Sequence, residues 1–544
     1  MKTLNAVILI ITFVFAANAQ AKLPVIKSNS NIVSIQDGDN FAKDSWNLSP
    51  ETKPDIYETS VKKGQKKKVT FKTDIDSISF DVEPDKTYNF IIQTGDAMCY
   101  TQIKAGLLSF WNEKNFWESS ALKTPYQPNL TDEEKIAGLS KFWSEAKYNF
   151  INFPLVPDLD WDKTYLEFIP KVLATKTTLD YYKVLQMFCA KLKDGHTNVN
   201  FPLNLSDEVY SRLAIKTRLV ENRVIIIQIY DEKLKAEGLQ IGQEITEIDG
   251  VPVKKYAEEN ILPYVAVSTS QDLEERLYSS SLLRGSAENP VSLTIKPISG
   301  EVFKKTLPRL KRLEINKLIV PQKPFEMKML PNNVALVKIN SMDSFENADK
   351  IFAENFAQIE KADALILDLR ENGGGDSGVG YRILSFLIDK PFKNSKWFTR
   401  EYHPSFRAWG KPEKTYGEEA SEYGLKQIKQ ARGENVKPFL KPLIVLSSPR
   451  TFSAAEDFLV AFKPTKRGLI IGEPSGGSTG QPLPISLPGG GSARICTKHD
   501  AFADGTEFVG VGVIPDILAA PKVSDFIDGK DSVLQTALQT LKKN

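Results

Sequence analysis

The stretch LIVLSSPRTFSAAEDF, residues 443–458, predicts a buried strand, a short loop and the beginning of a helix. Residues 443–446 form a short apolar run of the kind found in interior strands, and residues 454–462 carry apolar side chains at helical spacing. Ser453 is therefore expected at the first turn of a helix, where backbone N–H groups point towards a hydroxyl. Two interpretations stay open for this stretch alone. Ser453 is a nucleophile, or it is a helix N-cap, because Ser453 and Glu456 have the spacing of a capping box.

The composition is typical of a globular protein with several domains. A chain of 544 residues exceeds what one hydrophobic core holds, so we expect about two to four domains. Lys+Arg 70 against Asp+Glu 68 leaves a net charge of +2, which gives no argument for a nucleic-acid partner or an anionic membrane surface. The three cysteines, Cys99, Cys189 and Cys496, form no C-x-x-C pattern, and no H-E-x-x-H occurs. We therefore predict no metal site and no cofactor.

The first 19 residues have the pattern of a cleaved secretory signal. Lys2 precedes an apolar run over residues 6–16, and Ala17-Asn18-Ala19 matches a small-residue cleavage site. No later run reaches the roughly 18 apolar residues that cross a bilayer, so we predict no integral membrane segment. The expectation is a protein exported to a periplasm or to the extracellular medium.

Two segments precede the regions that carry most of the motifs. Residues 20–104 contain short alternating runs, which predict an N-terminal β-rich domain; they lie at 56–61, 69–72, 77–80 and 88–92. Residues 105–206 have helical periodicity, with a capping box at Thr131 and Glu134. Cys189 lies on an apolar helix face and is predicted to be a buried hydrophobic residue. The segment ends with His196 in the turn Asp194-Gly195-His196-Thr197, where the histidine is either functional or simply bonded within a loop.

Residues 207–308 form a separate unit that resembles a PDZ domain. Residues 234–251 have the order of a short helix, a Gly-Leu turn at Gly238, a strand and an Asp-Gly hairpin at Asp249. PDZ domains bind extended peptides as an added strand. The Gly-Leu-Gly-Phe type of carboxylate-binding loop is absent from this sequence.

Residues 309–544 alternate between strands and helices, which predicts an α/β core with both sheet faces covered. The strand at 364–370 ends in Glu371-Asn372-Gly373-Gly374-Gly375, which lacks the Gly-Lys-Ser/Thr ending of a P-loop. These glycines form a flexible turn, or they let backbone N–H groups approach an oxyanion. Residues 391–440 are polar and irregular, which favours an insertion or lid with His403 on its surface.

Six motifs occur in an order that resembles the C-terminal-processing and tricorn-type serine peptidases. They are DGHT (194–197), the PDZ-like unit (207–308), DLRENGGG (368–375), TFSAAE (451–456), GE (472–473) and GVGVIPD (510–516). The resemblance covers roughly residues 130–520. It implies a catalytic core of the ClpP/crotonase-like α/β type, with a PDZ domain inserted before the nucleophile half.

This family contains two catalytic designs, which differ in the base that serves the serine. One uses a lysine in a Gly-Lys-Gly segment, but the matching residues here are Gly477-Ser478-Thr479-Gly480, without a lysine. The tricorn-like design uses a histidine from far upstream and a glutamate near the C-terminus. The resemblance then implies His196 as the base and Glu507 as the orienting carboxylate, with Glu473 as an alternative that more simply braces its turn.

The resemblance also implies an oxyanion hole from the backbone N–H groups of Ala454 and of Gly374 or Gly375. Gly195 stands where the family has a serine directly before the histidine, so the chain departs there from the full four-residue site.

The function expected from these features is an exported serine endopeptidase that hydrolyses proteins or peptides through an acyl-enzyme on Ser453. A histidine base predicts activity that rises with pH through an apparent pKa near about 6–7. A second interpretation is a non-catalytic binding protein for apolar ligands or peptides on the same scaffold. A third, a crotonase-type acyl-CoA enzyme, is disfavoured by the signal peptide, because CoA thioesters are intracellular. The sequence gives no prediction of the oligomeric state.

Overall fold

The computed structural model of the chain describes residues 118–412 and 414–543, together with seven strands between residues 7 and 94. The chain divides into two units, Met1–Ser119 and Ser120–Asn544. Cys99 and residues 105–117 of the predicted helical segment lie outside the described residues. Within the described ranges, no helix combines the length and the apolar character needed to cross a membrane.

The first unit contains seven strands. They are β1 Val7–Val14, β2 Val25–Ser28, β3 Ile32–Asp37, β4 Ile56–Ser60, β5 Lys67–Thr73, β6 Ser77–Val82 and β7 Thr87–Thr94. They form two antiparallel sheets with strand orders β2-β1-β7-β4 and β3-β5-β6. The four runs predicted between residues 56 and 92 coincide with β4 to β7. β1 lies within the predicted signal peptide, so the cleavage expected there would remove this strand from its sheet.

Three helices come first among the elements of the second unit. They are α1 Asp132–Asn149, α2 Trp161–Leu173 and α3 Thr178–Ala190. The predicted capping box is confirmed, since Thr131 and Glu134 each accept the other's backbone N–H. The apolar helix faces form one core, in which Trp161 stacks on Phe188 with ring centroids 4.2 Å apart, and Cys189 is buried there as predicted. After α3 the chain makes the turn that carries His196 and enters β8 (Asn198–Asn200).

Residues 203–307 form an antiparallel unit with its own hydrophobic core, which includes Ile226, Ile245 and Leu293. Its helices are α4 Ser206–Val209, α5 Glu232–Ala236, α6 Val253–Asn260 and α7 Ser270–Glu275, the last followed by a π-helical segment, Arg276–Ser281. Its strands are β9 Ser211–Arg212, β10 Ile215–Val220, β11 Arg223–Ile229, β12 Glu244–Ile248, β13 Val251–Pro252, β14 Arg284–Gly285, β15 Val291–Lys296 and β16 Phe303–Leu307. The main sheet has the order β10-β11-β12-β15-β16, while β9 pairs with β14. β10 is therefore an edge strand.

The remaining elements belong to the α/β part of the chain. The helices are α8 Arg312–Leu318, α9 Ala348–Ile359, α10 Ser377–Ser385, α11 Pro404–Ala408, α12 Leu425–Arg432, α13 Ala454–Phe462, α14 Val523–Asp528 and α15 Ser532–Lys543. The strands are β17 Phe325–Leu330, β18 Val334–Ile339, β19 Ala364–Asp368, β20 Phe392–Lys393, β21 Lys396–Glu401, β22 Lys414–Glu418, β23 Glu422–Tyr423, β24 Leu443–Ser447, β25 Leu469–Gly472, β26 Pro482–Ser486, β27 Ser492–Cys496, β28 Lys498–Ala501 and β29 Ile517–Leu518.

The central sheet has the order β17-β18-β19-β24-β25-β29, and every pair except β17 with β18 is parallel. Alternate residues of its strands point to opposite faces. Leu365 and Val445 pack with α9, α10 and α13 on one face, whereas Ile366 and Ile444 pack with α15 on the other. The predicted α/β architecture with both faces covered is thus confirmed. Because the strands are parallel, the turns that follow β19 and β24 meet at one edge of the sheet.

Two smaller sheets hold the rest of the chain onto this core. β26 and β27 form the hairpin predicted around residues 489–491, and β27 also pairs with β8, which brings the His196 turn to the core. In the segment 391–440, β21 pairs with β28, and Ile428 and Phe439 are buried in the main core. The prediction of a lid-like insertion was therefore wrong for much of this segment, since its few apolar residues anchor it.

Candidate active site

Ser453 lies in the sharp turn between β24 and α13. Its φ is 56° and its ψ is −126°, a region of backbone space that residues other than glycine rarely adopt. Strained turns of this kind concentrate at functional sites, and in hydrolases they lift a nucleophile above the end of a sheet. The backbone of Ser453 therefore has the geometry expected of a nucleophile.

The hydrogen bonds of this turn decide between the two interpretations of Ser453. Its hydroxyl forms no helix-cap hydrogen bond, and the Glu456 N–H donates instead to the Ser453 backbone carbonyl at 2.7 Å. Only the other half of the capping box is made, with the Ser453 N–H donating to Glu456 Oε2 at 3.1 Å. The Ser453 Oγ lies 3.0 Å from Nε2 of His196. This contact favours the nucleophile over the cap.

His196 is held in place by the turn on which it lies. Oδ1 of the buried Asp194 accepts the His196 backbone N–H and the Thr197 hydroxyl, both at 2.9 Å. The Asn152 side chain donates to the other Asp194 oxygen at 2.9 Å. The Thr197 hydroxyl oxygen also accepts the backbone N–H of Cys496 at 3.0 Å. These bonds fix the histidine against a hairpin that lies about 300 residues later in the chain.

The imidazole of His196 is buried and stays neutral at physiological pH. Only 4% of the residue is exposed, and its ring stacks on Phe452 with centroids 4.8 Å apart and planes 10° apart. Burial, followed by the positive charges of Arg494, Arg276 and Lys498, lowers the pKa of His196 from 6.5 to about 3. A neutral imidazole can accept the Ser453 proton through Nε2.

Ser478 is the partner of the other ring nitrogen, a role that the sequence did not predict. Its Oγ lies 2.8 Å from Nδ1 of His196. When Nε2 accepts from Ser453, Nδ1 carries the proton and donates it to the Ser478 oxygen, so this contact selects the tautomer that a base requires. Ser478 stands where the lysine-dependent relatives have their lysine. At this position the chain has a hydroxyl in contact with a histidine instead of a lysine.

Gly195 and Ser478 are structurally complementary. A Cβ at residue 195 would lie 3.0 Å from the Ser478 Oγ and 2.9 Å from the Phe452 ring, both closer than side chains normally pack. The serine that the family carries at this position would therefore press on the hydroxyl that now contacts His196. Gly195 and Ser478 both depart from the family pattern, and the small residue at 195 leaves room for the hydroxyl at 478.

We expect Ser478→Ala to lower kcat by about 10- to 100-fold with little change in KM, because the base remains but its tautomer and ring orientation are no longer fixed. Steady-state kinetics on a peptide substrate measures both constants. An unchanged kcat would show that Ser478 only fills space beside the ring.

Glu456 connects the nucleophile turn to the loop that carries Ser478. Its fully buried carboxylate accepts the Gly477 and Ser478 N–H groups at 2.7 and 3.0 Å, the Ser475 hydroxyl at 2.6 Å and the Ser453 N–H. Burial raises the pKa of Glu456 from 4.5 to about 8, against these hydrogen bonds, which lower it. Because its pKa is raised, Glu456 stabilises the folded state below about pH 4.5, and this stabilisation is lost as the pH rises through about 8. Glu456 therefore acts as a brace between two active-site segments.

The predicted oxyanion-hole residues lie together in front of Ser453. The Ala454 N–H is at the first position of α13, where a helix leaves its N–H groups without intrahelical partners. A Cβ on Gly374 would come within 2.7 Å of the Ser453 Cβ and 3.0 Å of the Ala454 nitrogen, so glycine keeps this space open. The Gly374 N–H itself donates to the Asn372 side chain at 2.9 Å.

Gly375, the alternative donor, lies in a short bridge to Met342. The Met342 N–H donates to the Gly374 carbonyl and the Asp376 N–H donates to the Met342 carbonyl, which leaves the Gly375 N–H outside this bridge. The φ of Gly375 is 140°, and a Cβ at this position would collide with the Met342 backbone. This position therefore requires glycine.

Glu507 does not contact His196, so its predicted orienting role is corrected. Its Oε2 lies 2.6 Å from Nε2 of His499, and Nδ1 of His499 lies 2.6 Å from the Asn152 side-chain oxygen. Asn152 in turn donates to Asp194. Glu507 therefore reaches the His196 turn only through His499 and Asn152, while Ser478 occupies the ring nitrogen that the prediction assigned to Glu507.

The remaining candidates have structural partners. Glu473 pairs with Arg218 of β10 at 2.5 Å and braces its turn, in keeping with the alternative interpretation of this residue. His403 is exposed and lies 2.7 Å from Glu401. Among residues 118–412 and 414–543, no group of three or more His, Cys, Asp and Glu side chains is placed to hold a metal ion.

The segment that carries Ser453 matches a known peptidase family. Residues 333–519 match the model of peptidase family S41. The matched segment lies in the α/β part of the chain. It contains Ser453, Ala454, Gly374, Gly375 and Glu507, whereas His196 precedes it. The S41 relationship confirms, at the level of the family, the resemblance inferred from the six motifs.

The individual relatives that this chain matches are distant. The C-terminal processing peptidase of Tetradesmus obliquus is 24% identical over 303 residues, which are 53% of this chain and 54% of the relative. Carboxyl-terminal-processing peptidase 2 of Arabidopsis thaliana is 24% identical over 248 residues, 44% of this chain and 42% of the relative. The chain spans about half the length of these curated relatives. The crystal structure of mature CPAF aligns with a TM-score of 0.57 at 15% identity, covering 76% of this chain and 98% of that chain, which shows a shared fold.

Proposed function

We propose that the protein is an exported serine endopeptidase that cleaves proteins or peptides through an acyl-enzyme on Ser453. The observation that carries this proposal is the contact of the Ser453 Oγ with Nε2 of a buried, neutral His196 at 3.0 Å. The match of residues 333–519 to family S41 supports the same reaction class. The signal-peptide pattern of residues 1–19 supports export.

The geometry supports a role for each group in the proposed reaction. The Ser453 Oγ attacks the carbonyl carbon while His196 Nε2 takes its proton, and the Nδ1–H donates to Ser478. The Ala454 N–H, with the Gly375 N–H as second donor, stabilises the oxyanion. The C–N bond then breaks as His196 returns the proton to the leaving amine. Water attacks the acyl ester with His196 again as base, which regenerates Ser453.

A groove of about 960 Å³ beside the His196 turn is suited to a polypeptide substrate. Its wall combines apolar side chains such as Leu155, Met187 and Leu262 with the Ser268 hydroxyl. That hydroxyl accepts the Gly195 N–H at 3.1 Å, so the groove adjoins the catalytic histidine. Concave apolar sites with a few polar groups are typical of ligand clefts.

We infer that the antiparallel unit is PDZ-like and contributes to peptide recognition. It contains the short helix α5, the turn at Gly238, β12 and the Asp249-Gly250 turn in the order that the resemblance implies. Lys216 of the edge strand β10 forms an ion pair with Glu371 of the catalytic core at 3.6 Å. The Thr217 hydroxyl donates to the Tyr278 carbonyl at 2.5 Å, which ties β10 to the π-helical segment at this point. A peptide is therefore expected near the start of β10 rather than along its whole length.

The proposed function is tested by labelling with a fluorophosphonate probe. The wild-type protein is expected to react at Ser453, as mapped by peptide mass spectrometry. A protein that does not react with the probe and co-purifies with a lipid would instead support the non-catalytic carrier.

Activity is expected to persist well below pH 6. A histidine that acts as a general base must be neutral. Because the pKa of His196 is lowered to about 3, the fall of kcat/KM in acid is expected at a lower pH. Burial of His196 thus lowers the expected apparent pKa below the range of about 6–7 that an unperturbed histidine gives. The measurement is kcat/KM between about pH 4 and pH 8. Half-loss of activity near about pH 6.5 would contradict the burial argument, and activity still climbing beyond about pH 9 would indicate a lysine base.

A further inference from the structure

A cavity of about 370 Å³ lies where the antiparallel unit meets the catalytic core. Its wall includes residues of β10, the π-helical segment, Glu371 and Arg450. Glu371 precedes Gly374 by three residues, and Arg450 precedes Ser453 by three. A ligand in this cavity would therefore touch both turns that carry catalytic groups.

The cavity has an excess of positive charge. Four cationic side chains and one carboxylate line it: Arg212, Lys216, Arg284, Arg450 and Glu371. The carboxylate is already shared, at 3.6 Å from Lys216 and 3.1 Å from Arg450, and Arg450 also pairs with Glu275 at 2.7 Å. In the part of the chain that the structure describes, no carboxylate forms an ion pair with Arg212 or Arg284.

Arg212 and Arg284 are direct cross-strand neighbours in the β9–β14 pair. Like charges opposite each other in a sheet are destabilising, and a buried cation is costly without a partner. Burial lowers the pKa of Arg284, and the charge of Arg212 lowers it further. These two half-buried arginines face each other across the strands and have no carboxylate partner among the described residues, so they offer a site for an external anion.

Two hydrogen-bond donors at the cavity lack acceptors. Among the described residues, the buried Ser279 Oγ and Arg450 Nε have no hydrogen-bond partner. Arg450 Nε is within ion-pair distance of Glu371 but without the alignment of a hydrogen bond. Buried polar groups are rarely left unpaired, and both of these residues line the cavity. The cavity wall therefore contains polar groups whose hydrogen-bonding capacity is unused in the free protein.

We propose that this basic pocket, formed by Arg212, Lys216, Ser279, Arg284 and Arg450, binds carboxylate side chains of an acidic segment in the polypeptide substrate. The inference rests on the proposed function, since it names a substrate feature for the same enzyme. The forked guanidinium groups match carboxylates in bidentate geometry. At roughly 30 Å³ per water, the cavity holds about twelve waters, more than one small inorganic ion needs. The hydrogen bond from Thr217 to Tyr278 joins β10 to the π-helical segment beside the cavity, so we expect a short ligand segment.

The test measures peptide binding to the full-length Ser453→Ala protein, so that cleavage does not consume the ligand. Three fluorescent peptides of equal length are compared by anisotropy. One carries three glutamates and an amidated end, one carries glutamines and an amidated end, and the last carries glutamines and a free C-terminal carboxylate. We expect the glutamate peptide to bind at least about 10-fold more tightly than both others, because each buried charge-assisted bond contributes substantially. Its advantage should shrink as salt is added.

Substitutions in the basic pocket test whether its arginines cause the preference for the glutamate peptide. Arg212→Gln and Arg284→Gln are each expected to weaken binding of the glutamate peptide about 10-fold and to leave the glutamine peptides unchanged, while Arg284→Lys retains part of the affinity. Lys255→Gln is the matched control, since Lys255 lies in the same unit with 64% of its side chain exposed. Thermal melting of each variant separates lost binding from lost folding.

Three outcomes would overturn the proposal: equal binding of glutamate and glutamine peptides, preferential binding of the free carboxylate alone, or inorganic phosphate binding without any acidic-peptide binding. Phosphate that displaces the glutamate peptide at millimolar concentration would support the shared anion chemistry. Failure of the proposed function is distinguishable, because it would appear as a wild-type protein that binds the glutamate peptide but neither cleaves peptides nor reacts with the probe.

Discussion

Ser453→Ala is expected to lower kcat by about 10⁴- to 10⁶-fold and to abolish fluorophosphonate labelling. The substitution removes the only atom that forms the covalent intermediate in the proposed reaction, and loss of a serine nucleophile has effects of this size in other hydrolases. The contacts of Glu456 with the backbone of the turn do not involve the Ser453 hydroxyl. The fold, followed by thermal melting, should therefore survive the change.

Ser405→Ala supplies a matched control for the nucleophile. Ser405 is an exposed serine of α11, and its removal should leave both turnover and labelling at the wild-type level. If the Ser453→Ala protein were still labelled, the mapped residue would identify a different nucleophile. Full turnover without labelling at any serine would rule out an acyl-enzyme.

His196→Ala is expected to lower kcat by about 10³- to 10⁵-fold, since it removes the base that takes the Ser453 proton. The truncation leaves a cavity beside Phe452 into which added imidazole can bind. Recovery of part of the activity with imidazole, in proportion to its neutral form, would show that the lost function is proton transfer. The readout is single-turnover cleavage with and without imidazole.

The other two histidines make this test specific. His403→Ala changes an exposed side chain that lies against Glu401 and Phe406, and it is expected to leave kcat unchanged. His499→Ala breaks the connection between Glu507 and Asn152, and imidazole is not expected to restore its activity, because His499 does not contact Ser453. Equal losses for His196→Ala and His403→Ala would contradict the assignment of the base.

The sequence singled out Ser453 and His196 as candidate nucleophile and base through six motifs in family order, because each local motif alone left a structural interpretation open. The strand before Ser453 and the helix after it, together with the turn that carries His196, follow from patterns within about ten residues. The α/β core could also be predicted from local patterns, because buried parallel strands are short continuous apolar runs.

The orienting residue could not be predicted from local patterns. Contact between Ser478 and His196 depends on a loop that Glu456 holds and on a hairpin that pairs with β8, both of which are tertiary features. Glu507 was the best-placed carboxylate in the sequence, but its proximity to His499 in the fold gave it another partner. A useful signal was nevertheless present: Gly195 and Ser478 both depart from the family pattern, and joint departures at distant positions indicate spatial contact.

The pairing of β8 with β27 has a consequence for biosynthesis. The strand that follows His196 has its partner at residues 492–496, so a ribosome that has just completed the Ser453 turn has not yet made the element that anchors the histidine. The proposed nucleophile is therefore synthesised some forty residues before the strand that anchors the proposed base, and the site is expected to assemble only after residues 492–496 have been made.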